Sequence, residues 1–272
     1  MTVKHRSVSQ LSTFSKCGEQ YRLEKVARAP GRPAAWFHQG TAFHTVAEAW
    51  ERNYRQDFPG DMLDLYETEF DRLVAADMER EPNLARWMTG GRVKAEDDIA
   101  RRRVRGAEQV QGYMDYALAD SGRVWRDKDG LPALEVEFRL DLDGVEVVGF
   151  IDQLWEWPTG QVGPRDLKTG SKLPDWLVQL GVYRLAIEDL YGFLPMWGDY
   201  YMAKNNRPEK PYDLTTFTRE RVTRWFHDLD NGVKAGVFLP NPGDGCRTCG
   251  VSDFCSAVGS RADEYPPIPK EV

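Results

Sequence analysis

Asp166 and Lys168 stand two residues apart in the segment Asp166-Leu167-Lys168-Thr169-Gly170. On a strand, residues at that spacing project from the same face, so a carboxylate is set beside an amine. Such a pair suits phosphoryl chemistry. The carboxylate binds a divalent metal, while the ammonium orients or deprotonates an attacking water and offsets negative charge developing on phosphate. The tripeptide also arises often by chance and serves as an ordinary surface ion pair, so its neighbours carry the weight. Asp152 closes an apolar run, Val147-Val148-Gly149-Phe150-Ile151, where a carboxylate is costly unless paired or metal-bound. The turn Pro158-Thr159-Gly160 can fold the two segments into a hairpin and bring Asp152 beside Asp166. Downstream, Gln179 and Tyr183 share one helix face at i and i+4. There they either hold a phosphate or base near the metal or simply pack a helix flank onto the sheet.

The four cysteines form a second constellation. Cys246-x-x-Cys249 puts two thiolates within reach of one centre, Cys255 follows closely, and Cys17 lies far upstream. This is unlike a zinc ribbon, which has two local pairs. Four-thiolate ligation suits zinc and iron–sulfur clusters alike, and spacing alone does not separate them. Unligated core cysteines are a poor fit, because Cys246 and Cys249 fall in a Gly/Pro-rich loop. Ligation would staple the first helix to the C-terminal segment, a structural role more than a redox one.

The order Gly149-x-x-Asp152, Asp166-x-Lys168-Thr169-Gly170, Gln179-x-x-x-Tyr183 resembles the nuclease motifs of RecB-like PD-(D/E)XK enzymes. In that family a histidine in a Gly-Thr-x-x-His context completes the metal site, and Gly40-Thr41-Ala42-Phe43-His44 matches it. The resemblance implies that His44, Asp152, Asp166 and the backbone carbonyl of Leu167 are metal ligands. It makes Lys168 the water-positioning base, with Gln179 and Tyr183 completing the catalytic set. Glu48, one turn beyond His44, is read as a salt-bridge partner or a support for the site. The implied ion is Mg²⁺ or Mn²⁺, imidazole being a good transition-metal ligand. The cysteine arrangement is similar to that of AddB and the CRISPR-associated RecB-like exonucleases. It implies a four-iron four-sulfur cluster on Cys17, Cys246, Cys249 and Cys255, with zinc as the alternative. Gly18 stands where many relatives carry proline. The resemblance runs from Ser7 to Ser256 and is weaker across residues 54–126.

These residues need elements to position them. Ser7 or Ser9 caps a first helix with Leu11, Phe14, Cys17 and Tyr21 on its apolar face. After Pro30-Gly31-Arg32-Pro33, Gly40-Thr41 opens a second helix carrying Phe43, Val46, Ala47, Trp50 and Tyr54. Residues 62–79 and 93–119 read as long helices, making 54–126 an all-α subregion. Leu134, Val136, Phe138, Leu140 and Leu142 then alternate with polar residues, the period of a half-buried strand. Asp143-Gly144 predicts a hairpin turn. The return strand, 145–155, is more continuously apolar and so expected to be more deeply buried. A third strand covers 162–168. Pro174 marks a helix start, with the helix running over 176–190 to Gly192; a strand over 196–202 follows. A last helix over 218–235 stops at Gly236 before the cysteine tail, 246–255.

Composition bounds the rest. The 272 residues carry 41% hydrophobic and 29% charged side chains with a net charge of −7, an ordinary globular balance that argues against wrapping nucleic acid with the whole surface. Local basic runs, Arg101-Arg102-Arg103 with Arg105, and Arg219, Arg221 and Arg224, are candidate DNA contacts or solvated helix faces. Trp176, Tyr183 and Tyr201 are candidates for stacking bases. No run approaches the ~18 apolar residues of a membrane span. The start, Met1-Thr2-Val3-Lys4-His5-Arg6, leads into no signal core, so a cytoplasmic setting with reduced thiols is expected.

The expectation is one α/β domain over 1–272. Its core is restriction-endonuclease-like PD-(D/E)XK, with a mixed central sheet flanked by helices and a helical insertion in the N-terminal half. Its expected activity is metal-dependent exonuclease action on single-stranded DNA ends. The alternatives are an endonuclease or flap nuclease, or a non-catalytic DNA-binding subunit of a recombination, repair or spacer-acquisition complex. No Walker-type loop is present, so a helicase or other recombination or CRISPR protein would be a separate partner.

Overall fold

The alternation in β2 (Leu134–Leu142) and the Asp143-Gly144 turn build a hairpin with β3 (Val145–Glu156). Asp143 and Gly144 both take positive φ, 51° and 86°, as a tight two-residue hairpin turn requires. The computed structural model, which describes residues 5–266, continues this hairpin into a mixed seven-stranded sheet. Antiparallel to β3 runs β4 (Val162–Lys168), and parallel to β4 runs β5 (Trp197–Met202). The intervening helix α6 (Val178–Tyr191) makes the parallel connection possible. Three two-residue strands complete the sheet: β1 (Arg123–Val124) on β3, and β6 (Arg207–Pro208) and β7 (Tyr212–Asp213) on β5.

The chain gathers into two compact units. The larger comprises Ala34–Phe138 and Phe150–Thr218. Its helical layer is α3 (Ala35–Arg52), α4 (Pro59–Arg80) and α5 (Ala95–Ala119). Phe43, Trp50, Tyr66, Phe70 and Tyr113 from these helices share one core with Leu167 and Tyr201 from β4 and β5. Gly106 lets α4 and α5 approach, since a Cβ there would overlap the Tyr66 hydroxyl. On β4 and β5, the neighbours Arg165 and Asp199 form a fully buried ion pair, Nη2 to Oδ2 at 2.7 Å. The Arg165 guanidinium also lies 3.9 Å from the Trp155 ring centre.

The smaller unit comprises, among the described residues, 5–33, Arg139–Gly149 and 219–266. The segment Met1-Thr2-Val3-Lys4 lies outside the described residues. Ser7 caps α1 (Val8–Lys16), accepting from the Gln10 N–H at 3.2 Å. A short helix α2 (Gly18–Tyr21) and a π-turn follow. Arg6 bridges to the hairpin at Val147, and its guanidinium reaches Asp230 on α7 (Arg219–Lys234) and the Tyr21 hydroxyl.

Several expectations shift. Helix α3 begins at Ala35, not at Gly40-Thr41, because the buried stripe Ala35, His38, Gln39, Ala42 extends the helical period upstream of the glycine. Helix α6 begins only at Val178; Pro174 sits in irregular chain. The apolar run in β3 is not evenly buried: Val147 and Ile151 are inward, whereas Phe150 is 54% exposed. Among the described residues, no helix is long and apolar enough to cross a membrane.

Candidate active site and cysteine cavity

The β3–β4 ladder pairs Gln153 with Arg165, and one step further along it Asp152 comes opposite Asp166. At that end the Asp152 side chain takes over from the main chain: Oδ2 accepts the Leu167 N–H at 2.8 Å. Strand alternation sends Leu167 into the core and leaves Asp166 and Lys168 on the other face. Lys168 Nζ is 2.6 Å from Asp166 Oδ2 and donates to Gln179 Oε1 at 3.0 Å. Gln179 Nε2 in turn donates to the Tyr183 hydroxyl at 2.8 Å. The i, i+4 pair on α6 thus engages Lys168. Tyr183 is buried, so its ring is not available to stack a base.

His44 arrives from α3. Its Nε2 lies 3.1 Å from the Leu167 carbonyl oxygen, and Nδ1 lies 3.5 Å from Glu135 Oε1 and 3.7 Å from Asp152 Oδ2. With Nε2–H donating to the carbonyl, Nδ1 faces the two acids. His44, Glu135 and Asp152 each offer a ligand atom within 4.8 Å of the others. Glu135 is the residue that the motifs do not single out. It sits at the start of β2 with φ 45°, in the left-handed region that non-glycine residues occupy at a cost of ~1–3 kcal/mol. Alternation gives Glu135 and Glu137 the same rank; only the backbone conformation and the proximity of His44 separate them.

The electrostatics call for a cation. Burial raises Asp166 to about 7, with the nearby Asp152 adding to the shift and Lys168 opposing it. Burial also raises Asp152, against the pull of His44. For His44, burial disfavours charge, but Asp152, Glu135 and Asp166 outweigh it and lift the imidazole to about 9. Apart from the Lys168 ammonium, 2.6 Å from Oδ2, neither Asp166 carboxylate oxygen has a hydrogen-bond donor among the described residues. Two carboxylates, Glu135 and Asp152, grouped with an imidazole, and a third, Asp166, close enough to Asp152 to raise its pKa, fit a hard divalent cation.

The sequence pattern of the PD-(D/E)XK nuclease superfamily matches residues 5–256. The chain belongs to the PD-(D/E)XK nuclease superfamily. It is also similar to the Gene 69 protein of Mycobacterium phage D29, 40% identical over 260 residues, covering 92% of this chain and 96% of that protein. The Gene 69 protein of Mycobacterium phage L5 is 36% identical over 280 residues, covering 92% and 95%. Membership makes this a metal-dependent nuclease that hydrolyses phosphodiester bonds, and the mixed sheet with its helices is the fold expected of a PD-(D/E)XK protein.

Other candidate contacts resolve differently. In the Arg101–Arg103 run, Arg101 and Arg102 pair with Asp98, and Arg103 pairs with Glu67 and Asp71. Acids within the helical layer therefore already engage much of this charge. Arg221 packs over the Trp225 ring at 5.1 Å. Tyr201 is fully buried and cannot stack a base. Glu48 forms a salt bridge with Arg52 at 2.7 Å.

The smaller unit holds the PD-(D/E)XK chain's four cysteines, all within the matched range. Cys17 ends α1 and begins α2 rather than lying on a helix face; its Sγ accepts the N–H groups of Gln20 and Asn241 at 3.5 and 3.4 Å. Cys246 Sγ accepts the Gly243 N–H at 3.4 Å. All four cysteines line one cavity of about 560 Å³. Burial pushes the Cys249 thiol up to about 11, opposed by the Val251 N–H and reinforced by Glu24, Cys17 and Cys246. Arg32 secures the tail by donating to the Cys249 carbonyl and the Ser252 hydroxyl. Gly18 has a local reason: a Cβ there would come 2.9 Å from the Leu239 nitrogen.

Proposed function

We propose that this protein is a RecB-like DNA exonuclease acting on single-stranded ends. The observation that supports the reading is the grouping of His44, Glu135 and Asp152, with Asp166 on the neighbouring strand paired to a lysine that also bonds Gln179. In this reading those four side chains, with the Leu167 carbonyl, hold the divalent metal. When bound, that metal supplies Lewis-acid stabilisation of charge on the phosphoryl oxygens and eases deprotonation of water. Lys168 Nζ orients the attacking water and neutralises charge building on the phosphate. Gln179, braced by Tyr183, keeps the ammonium directed at Asp166. His44 Nε2 and the Leu167 carbonyl oxygen face one another at 3.1 Å, which sets α3 against the end of β4.

The four cysteines are proposed to bind a four-iron four-sulfur cluster. Zinc–thiolate bonds of ~2.3 Å would bring the sulfurs of a tetrahedral site to within ~4 Å of one another. Among the described residues, no three cysteine sulfurs lie within 4.8 Å, and the cavity they line has room for a larger group. The role is structural, tying Cys17 to the tail.

The test uses protein purified without oxygen, supplied with Mg²⁺ or Mn²⁺, on end-labelled single strands, duplexes and single-stranded circles. An exonuclease shortens the linear single strands progressively and spares the circles. Cut circles would replace the exonuclease reading with internal cleavage. No cleavage of any DNA with either metal would remove the nuclease reading.

A further inference from the structure

We propose that the open cleft beside His44 and Glu135 is a base-stacking subsite, which takes one unpaired nucleotide of the DNA strand against the rings of Phe37 and Phe150. The inference rests on the nuclease reading above and concerns how that site selects its substrate. Phe37, Phe150, Trp36, Thr41, His44 and Glu135 line one cleft. Phe37 is 55% exposed and Phe150 54%, so two large apolar side chains stand in water beside the metal-site residues. Clustered exposure of that kind marks a binding surface more often than a single stray side chain does.

The placement of each ring follows from its element. On α3, Phe37, Thr41, His44 and Glu48 recur at helical spacing and form one stripe, so Phe37 lies two turns from His44 on the same face. On β3, Phe150 precedes Asp152 by two residues and projects from the same side of the strand. Both rings therefore flank the metal-site residues, each carried on the element that supplies one of them. Trp36 packs against Phe37 with ring centres 5.5 Å apart, and Arg102 lies 6.0 Å from the Trp36 ring centre. Phe37 is the more exposed ring of that pair.

The chemistry of the lining selects the ligand. The cleft contains the carboxylates of Glu48 and Glu135 and no lysine or arginine. It cannot attract a phosphate by charge without a metal, but it can take the uncharged face of a base. Base–aromatic stacking tolerates any sequence because every base has a π-face. In a duplex those faces are covered by neighbouring bases, so only an unpaired or frayed nucleotide can enter. The cleft thus supplies a physical basis for single-strand preference, with the base on the rings and its phosphate toward the acids.

The experiment measures binding of a fluorescent oligo-dT strand, and of the same strand with abasic sites, in the presence of Mg²⁺. Lys168→Ala protein is used throughout so that the strand is not consumed. Adding Phe37→Ala and Phe150→Ala should weaken oligo-dT binding about tenfold. It should leave the already weaker binding of the abasic strand unchanged. Phe37→Tyr with Phe150→Tyr should restore the oligo-dT affinity, which a folding defect would not allow. Unchanged oligo-dT binding in the double alanine variant, or an equal loss on the abasic strand, would overturn the inference while leaving wild-type cleavage intact. Occupancy of the cleft by another protein or a second copy of the chain would give that first result. Wild-type protein that neither binds nor cleaves DNA would overturn the nuclease reading, and this one with it.

Discussion

Gln179 holds Lys168: its Oε1 accepts a hydrogen bond from Nζ at 3.0 Å, and its Nε2 donates to Tyr183 at 2.8 Å. A flexible, half-buried lysine is thereby kept over Asp166 by a neutral amide that is itself anchored. Replacing Lys168 by alanine should lower the cleavage rate at least ~100-fold, within the range for loss of a positioned acid–base group. Melting temperature, iron content and DNA affinity should stay near wild type. A rate close to wild type would remove Lys168 from the chemistry.

Gln179→Leu removes the acceptor but not the lysine. It should reduce kcat about tenfold and change KM little, because the freed ammonium samples unproductive positions. Gln179→Glu retains an acceptor and should recover most of that loss. Equal kcat for the leucine variant and wild type would show that Asp166 alone positions Lys168.

The metal-free site should be least stable at high pH. Asp166 is raised to about 7 from an ordinary carboxylate value, so the folded state binds its proton more tightly and loses stability as pH rises from about 4 through 7. His44, raised to about 9, contributes stability fully below its ordinary value and loses it as pH climbs toward 9. The two effects have the same sign. Without metal the melting temperature should fall between pH 5 and pH 9, and saturating Mn²⁺ should reduce the fall. Asp166→Asn should stabilise the metal-free protein at pH 8 by about 1–3 kcal/mol while abolishing cleavage. Thermal melts across pH check this, and a destabilised asparagine variant would contradict it.

The ion pair between Arg165 and Asp199 locks β4 to β5 immediately beside Asp166. Asp199→Ala leaves a buried guanidinium without its counter-ion and should cost about 3–5 kcal/mol in chemical denaturation. A loss below 1 kcal/mol would mean that the Tyr116 hydroxyl and the Trp155 ring suffice for Arg165.

Cys17→Ser tests the cysteine cavity. Wild-type protein handled without oxygen should be brown, with about four irons per chain. The serine variant should lose iron, melt earlier and expose the tail after Asn241 to protease, as Cys246→Ser should. Colourless wild-type protein carrying stoichiometric zinc would overturn the cluster while leaving the nuclease assignment standing. Full iron retention by Cys17→Ser would reduce Cys17 to a helix cap.

Much of the sheet was legible in the sequence because strand periodicity and turn chemistry are local. Leu134 to Leu142 alternates cleanly, Asp143-Gly144 takes the two positive φ values, and Pro158-Thr159-Gly160 returns the chain so that Asp152 meets the end of β4. The start of α3 was obscured by Gly40, which reads as a boundary but is carried inside a helix whose buried stripe begins at Ala35. His44 was legible only through a motif, since its contact with Leu167 spans more than a hundred residues and no local pattern encodes it. Glu135 was hidden because an acid on an alternating strand looks like its solvent-facing neighbour Glu137. The aromatics divided against expectation for a related reason. Tyr183 and Tyr201 carry polar tips yet are buried, whereas Phe37 and Phe150 carry none yet are exposed, and hydrophobicity alone ranks them the other way.

In the proposed site His44, Glu135, Asp152 and Asp166 hold a divalent metal, and Lys168 acts on the substrate without helping to hold it. Calorimetric titration of Mn²⁺ into wild type, Asp152→Asn and Lys168→Ala, with a cleavage assay on the same samples, separates the two roles. Wild type should bind Mn²⁺ and cleave DNA; Asp152→Asn should lose both; Lys168→Ala should bind Mn²⁺ and fail to cleave. Wild-type Mn²⁺ affinity in Asp152→Asn would mean that Asp152 does not hold the metal, and wild-type cleavage by Lys168→Ala would mean that the lysine takes no part in the reaction.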